Sequence, residues 1–196
     1  MRRSPRSSGR EVDIAVAHSY SLLPRNLPTS AEQRRLLDDP VLLAVPPALA
    51  ARGLVPNEVV ALGDYAREPW LVPRRAESCH EMIQRACGAA GFVPDGVAEA
   101  TDFAVLTALV EVGAGIALVP RMVLPSGPLS VSLHPLREPV TRTVFALTGP
   151  GAARRPDIAR TPLDPCHCHR NLRGVQPHRR RGRHISVAHR HVCLRG

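Results

Sequence analysis

The sequence predicts an α/β fold built on a parallel sheet, and three observations carry that prediction. Strand and helix signals alternate from residue 11 to residue 148, the order expected when helices cross between neighbouring parallel strands. Two apolar runs, 41–45 and 116–119, are continuous rather than alternating, as strands buried on both faces are. All six aromatic residues lie before residue 150, so the packing part of the chain ends there.

The elements follow in order. Residues 11–17 alternate Val12, Ile14 and Val16 with smaller or polar neighbours, the period-two pattern of a strand. A loop with Pro24 and Pro28 follows, and residues 35–38 lead into Asp39-Pro40 and the buried strand 41–45. Residues 47–52 make a short helix, with Pro47 in its first turn and Gly53 as its stop. Residues 59–65 fit neither period, and 70–72 form a short strand after Pro69. Ser78-Cys79-His80-Glu81 fits a capping box, in which the Ser hydroxyl accepts a backbone N–H and the Glu reaches back to the cap. Met82, Ile83, Ala86, Cys87 and Ala90 then form one apolar face, and Gly91 ends the helix. A second helix runs from Thr101 or Asp102 to residue 112, buries Phe103, Leu106, Leu109 and Val110, and is closed by Gly113. Gly115 precedes a strand over 116–119, and 131–133 and 143–147 are two further strands.

Charge separates the chain into two parts. Residues 1–150 hold 15 Arg and 15 acidic residues, while 151–196 hold 11 Arg against Asp157 and Asp164, so the whole net charge of +9 sits at the end. That end has eight Leu, Ile or Val residues and no period of two or 3.6, and it reads as a disordered Arg/His-rich tail over 149–196. The chain has no lysine, a mark of GC-rich coding, and the Arg, Pro, His, Gly and Cys bias of the tail is that of out-of-frame translation. No apolar run is long enough to cross a bilayer. Residues 1–10 are basic and Ser-rich without the apolar stretch of a secretory signal, and read as a disordered leader. Five cysteines in such a chain read as thiols.

The order of elements resembles the effector-binding domain of LysR-type transcriptional regulators. The residues that carry the resemblance are Glu11-Val12-Asp13-Ile14-Ala15-Val16, Leu37-Asp38-Asp39-Pro40-Val41-Leu42-Leu43-Ala44-Val45-Pro46, Glu68-Pro69-Trp70-Leu71-Val72 and Ala89-Ala90-Gly91-Phe92. The most specific stretch is Leu109-Val110-Glu111-Val112-Gly113-Ala114-Gly115-Ile116-Ala117-Leu118-Val119-Pro120. The resemblance implies a fold like type 2 periplasmic binding proteins, with two α/β lobes joined by crossover strands and a small effector in the cleft between them. Residues 11–40 and 122–148 would form an incomplete first lobe, and 41–121 the complete second lobe with its crossovers. It further implies a cytoplasmic protein that meets DNA only through a helix-turn-helix domain outside these residues, and it allows a homodimer.

On that reading the effector residues are at element ends. Ser78 and Cys79 open a helix whose N-terminus suits an anion, and Arg74 and Arg75 just upstream can add charge-assisted hydrogen bonds. Thr101, Asp102 and Phe103 hold the equivalent position at the second helix. His18, Ser19 and Tyr20 follow a strand, where open α/β sheets present ligand contacts. Each has a plainer use: Ser78 and Asp102 as caps, the arginines as a solvated turn, the cysteines as small core residues.

Other chemistries find less support. Cys166-His167-Cys168-His169, with Cys193, has zinc-ligand types but not the spacing of a closed site, so no metal is expected. Arg179-Arg180-Arg181 is a solvated charge run first and a non-specific nucleic-acid contact second. Gly113-Ala114-Gly115 ends a helix instead of opening one, and neither a Gly-x-Ser-x-Gly elbow nor a His-Glu-x-x-His pair occurs, so neither an enzyme nor a cofactor is expected. Two alternatives stand beside the sensor reading: a free-standing solute-binding protein of the same fold, and a nucleic-acid binder acting through the basic tail.

Overall fold

The continuous apolar runs become strands buried on both faces. The computed structural model describes residues 14–24, 29, 31–124, 127, 129–151, 154 and 185–186. The strands are β1 (Ile14–Tyr20), β2 (Glu32–Val45), β3 (Trp70–Pro73), β4 (Gly96–Ala100), β5 (Ala117–Pro120), β6 (Ser132–Pro135), β7 (Thr141–Thr148) and β8 (Ile185–Ser186). The helices are α1 (Pro47–Ala50), α2 (Ser78–Ala89) and α3 (Phe103–Glu111), with 3-10 turns at Leu62–Tyr65 and Arg121–Val123. The residues assigned to the leader, and the Cys166 to His169 cluster with Cys193, lie outside the described residues.

The chain divides into a larger unit, 18–26 and 36–144, and a smaller one, 1–17, 27–35 and 145–196. Strands β1, β2 and β7 pass through both. The main sheet has the order β5-β2-β7-β1-β8, with β6 also pairing β2, and a second sheet is β3-β4. In the smaller unit β8 runs parallel to β1, Ile14 opposite Ile185, so the segment read as structureless supplies one short strand. Its Glu32 carboxylate accepts the Gly151 N–H at 2.9 Å.

In the larger unit alternate residues of each strand serve opposite cores. Val41, Leu43, Val45, Trp70, Val72, Ile116 and Leu118 face the cluster closed by Met82, Ile83, Ala86 and Cys87 of α2. Ala44, Leu71, Ala117 and Val119 face the other, closed by Leu106 and Val110 of α3. Helix, sheet and helix thus form three layers, which is why these strands show no polar alternation. Trp70 is fully buried, donates its indole N–H to the Tyr65 carbonyl at 3.2 Å, and packs on Phe92 with ring centres 5.8 Å apart. Gly91 and Gly113 leave the two helices at φ 88° and 83°, the left-handed turn expected of them.

Two expectations need correction. The sheet is mixed, because β2 runs antiparallel to both β5 and β6, whereas β3 and β4 are parallel. An apolar run reports burial on two faces and is silent about strand direction. The capping box does not form either. Glu77 is the N-cap of α2, Ser78 is the first helical residue, and no side-chain cap bond is made. The His80 N–H bonds the Glu77 carbonyl at 3.0 Å, so the first helical hydrogen bond is accepted one residue before Ser78. Glu81 turns instead to Arg85, one turn on, at 2.7 Å.

Candidate functional site

Strand direction brings the predicted residues of this lobe to one edge. β3 and β4 are parallel with Pro73 opposite Ala100, so both carboxyl ends leave the sheet together. Ile116, just before β5, bridges Trp70 in the same sense, and β5 ends on that edge too. The segments that follow are Arg74 to Cys79, Thr101 to Phe103, and Arg121 to Met122. Open α/β sheets bind ligands outside such carboxyl ends.

The Arg74 N–H donates to the Ala100 carbonyl at 3.2 Å, joining the first two segments. The arginines themselves are exposed, and Arg75 pairs with Glu99 at 3.6 Å across the solvated surface. Thr101 and Asp102 are exposed and Phe103 is half-buried. Asp102 is the N-cap of α3, its Oδ1 accepting the Ala104 N–H at 2.8 Å. Ser78 is half-buried at the start of α2, and His80 fastens that first turn to β3 through a 2.9 Å bond between its Nδ1 and the Pro73 carbonyl.

Cys79 lies inward. Burial and then the Glu77 carboxylate push its thiol up to about 11, against the pull of its own and the His80 N–H groups and of Arg142. It is a protonated thiol and no nucleophile. Tyr20 is buried nearby, its phenol pushed above the ordinary value by burial while Arg142 pulls it down. The His18 ring meets Tyr20 edge-on at 5.5 Å, and Ser19 is half-buried between them in sequence.

The residues that sequence reading missed are Asp39 and Arg142. Asp39, 2% exposed, accepts the Met122 N–H on Oδ1 at 2.8 Å and the Arg142 guanidinium on Oδ2, with Nε at 2.9 Å. One carboxylate thereby joins β2, β7 and the turn after β5, and its partner Arg142 lies close enough to Tyr20 to draw its phenol down. A signal was present: in β7 the buried positions are Arg142, Val144 and Ala146, so the arginine sits in phase with the core residues.

Among the described residues no group of three or more His, Cys, Asp or Glu side chains is disposed to hold a metal ion, and no helix is long and apolar enough to cross a membrane.

The sequence matches the LysR substrate binding domain over residues 6–161. No curated protein matches it. Among solved structures it is similar to the C-terminal domain of a probable LysR family transcriptional regulator from Rhodococcus sp. RHA1, at 22% identity and TM-score 0.56, covering 71% of this chain and 70% of that one. The CcmR regulatory domain of Synechocystis PCC6803 in complex with 2-PG aligns at 12% identity and TM-score 0.59, covering 76% and 74%. The effector binding domain of QuiR in complex with shikimate aligns at 15% identity and TM-score 0.55, covering 72% and 66%. At these identities the likeness is one of fold.

Proposed function

Because the chain belongs to the LysR substrate-binding-domain family, we propose that it is the ligand-sensing part of a transcriptional regulator and binds a small organic anion at the carboxyl edge of β3 and β4. Residues 41–121 are its effector-binding lobe. It works in the cytoplasm as a homodimer and reaches DNA through a separate helix-turn-helix domain.

The observation that carries the anion reading is the uncapped start of α2. Glu77 makes no side-chain cap bond to the first-turn N–H groups, so no side chain of the chain caps the positive end of the helix dipole at Ser78. At α3 the same feature is already met by Asp102. A carboxylate at α2 would approach the Ser78 hydroxyl and the helical N–H groups ahead of His80, whose own N–H is taken by the Glu77 carbonyl, with Arg74 and Thr101 at the rim. Tyr20 and the Asp39–Arg142 pair form the buried floor. Two neighbours of this fold hold 2-PG and shikimate, the second a carboxylate by name.

Thermal unfolding with a panel of small carboxylates, shikimate among them, and their neutral methyl esters tests the reading. An acid at about one hundred times its Kd stabilises by about 2.7 kcal/mol, and its ester should not. Ser78→Asp supplies a carboxylate from the chain itself; it should leave the unliganded melting temperature unchanged or higher and abolish the response. A response equal in Ser78→Asp and wild type, or no response to any acid, refutes the proposal.

A further inference from the structure

At the far end of β2 from Asp39, Val45 pairs with Ser132, and β6 carries a second polar arrangement. Ser132 and His134 are two residues apart on one strand, so their side chains share a face. His134 is fully buried. Its Nδ1 lies 3.2 Å from the Glu58 carbonyl, which can only accept, so that nitrogen carries the proton and Nε2 is the acceptor. The Ser132 hydroxyl lies 2.8 Å from Nε2 and donates to it. A serine directed onto an imidazole, itself oriented by a third group, is the arrangement that activates an oxygen nucleophile.

Ser132 is also reachable. It is half-buried and lines an open groove of about 570 Å³ with Pro47, Ala50, Leu54, Val131 and Leu133. The main-chain groups of Pro135 and Arg137 face Val60, away from β2. Leu133 has the same parity, so its N–H turns to that same edge, one residue on from Ser132.

We propose that Ser132 is an acyl acceptor, taking the acyl group of an activated ester or thioester of a short apolar carboxylic acid. In the step Oγ forms a bond to the acyl carbon and the bond from that carbon to the leaving oxygen or sulfur breaks. The hydroxyl proton passes to His134 Nε2 and from there to the leaving group. The Leu133 N–H faces the oxygen that becomes negative, and the apolar groove holds the acyl chain. The proposal does not rest on effector binding at the opposite edge.

The test uses p-nitrophenyl butyrate on the full chain, reading nitrophenolate release and the site of butyrylation by peptide mass spectrometry. The expected result is one butyryl group on Ser132, the serine bonded to His134, with little on Ser130, which lines the same groove. Ser132→Ala should remove the label in a protein that still unfolds cooperatively, and His134→Asn should slow labelling at least tenfold, general-base assistance being worth roughly a hundredfold or more. No label on Ser132 in the wild type, or equal label on Ser130 and Ser132, overturns the proposal without recourse to any variant. A folded His134→Asn protein that labels at the wild-type rate overturns it as well.

Discussion

Removing the Asp39 carboxylate is the most direct probe of how the candidate site is held. In Asp39→Ala the Met122 N–H loses its acceptor, and the Arg142 guanidinium, with a side chain only 10% exposed, loses its counter-ion. An uncompensated buried charge costs about 3–5 kcal/mol, and the orphaned N–H lies within that figure because both losses are relieved by the same local opening. Asp39→Ala should therefore lower the urea-unfolding free energy by about 4 kcal/mol. Arg142→Met alone should cost about as much, because it strands the carboxylate. The double variant removes both charges and should recover at least about 2 kcal/mol relative to the sum of the single changes. Urea titrations of the four proteins at neutral pH, followed by Trp70 fluorescence, give the cycle. A loss below about 1 kcal/mol for Asp39→Ala, or additive single effects, would mean that solvent reaches the pair and that it does not organise the edge.

Further outcomes follow from three single positions and from the two buried thiols. A Cβ at Gly115 would stand 2.5 Å from the Pro69 carbonyl oxygen, which also accepts the Ile116 N–H at 2.9 Å, so Gly115→Ala should cost about 1–3 kcal/mol in urea unfolding. Asp102→Ala should lose about 1 kcal/mol by removing a real cap. Ser78→Ala, where the sequence promised one, should change stability by less than about 0.5 kcal/mol. Burial pushes the thiols of Cys79 and Cys87 up to about 11 and about 12. The unfolded thiols ionise first, near 9.0, so the native state should lose stability as pH rises from about 9 towards 11. Urea midpoints measured across that range check it. At pH 7 a thiol reagent should modify both residues only on unfolding.

What the sequence displayed was burial and helix periodicity. The runs at 41–45 and 116–119, the apolar face of α2 (apart from Ala90, which is exposed at its C-cap) and the glycines after both helices became the elements they predicted. β4 was missed because Gly96-Val97-Ala98-Glu99-Ala100 has low strand propensity: small residues face inward and Val97 and Glu99 face out. It is a strand because β3 supplies its hydrogen bonds, a tertiary cause that no local pattern records. The capping box failed for a local reason. The Glu77 N–H bonds the Arg74 carbonyl at 2.9 Å, and that turn sets the helix start one residue early, after which Glu81 has a better partner in Arg85.

The Asp39–Arg142 pair was illegible for another reason: the phase of β7 marks Arg142 as inward, but 103 residues separate it from Asp39 and nothing local names its partner. On the proposed reading, their pairing bears on where an anion would bind. The carboxyl edge offers several positive features, and the chain's own carboxylates already answer most of them. Asp39 neutralises Arg142, Glu99 screens Arg75, and Asp102 fills the start of α3. A ligand carboxylate arriving at any of these would have to displace an internal partner and would gain little. The start of α2 has no side-chain cap bond, although the Glu77 carboxylate stands near enough to raise the Cys79 thiol, and His80 holds it against the end of β3. On the proposed reading, the failed capping box is the feature that leaves the start of α2 to an incoming anion.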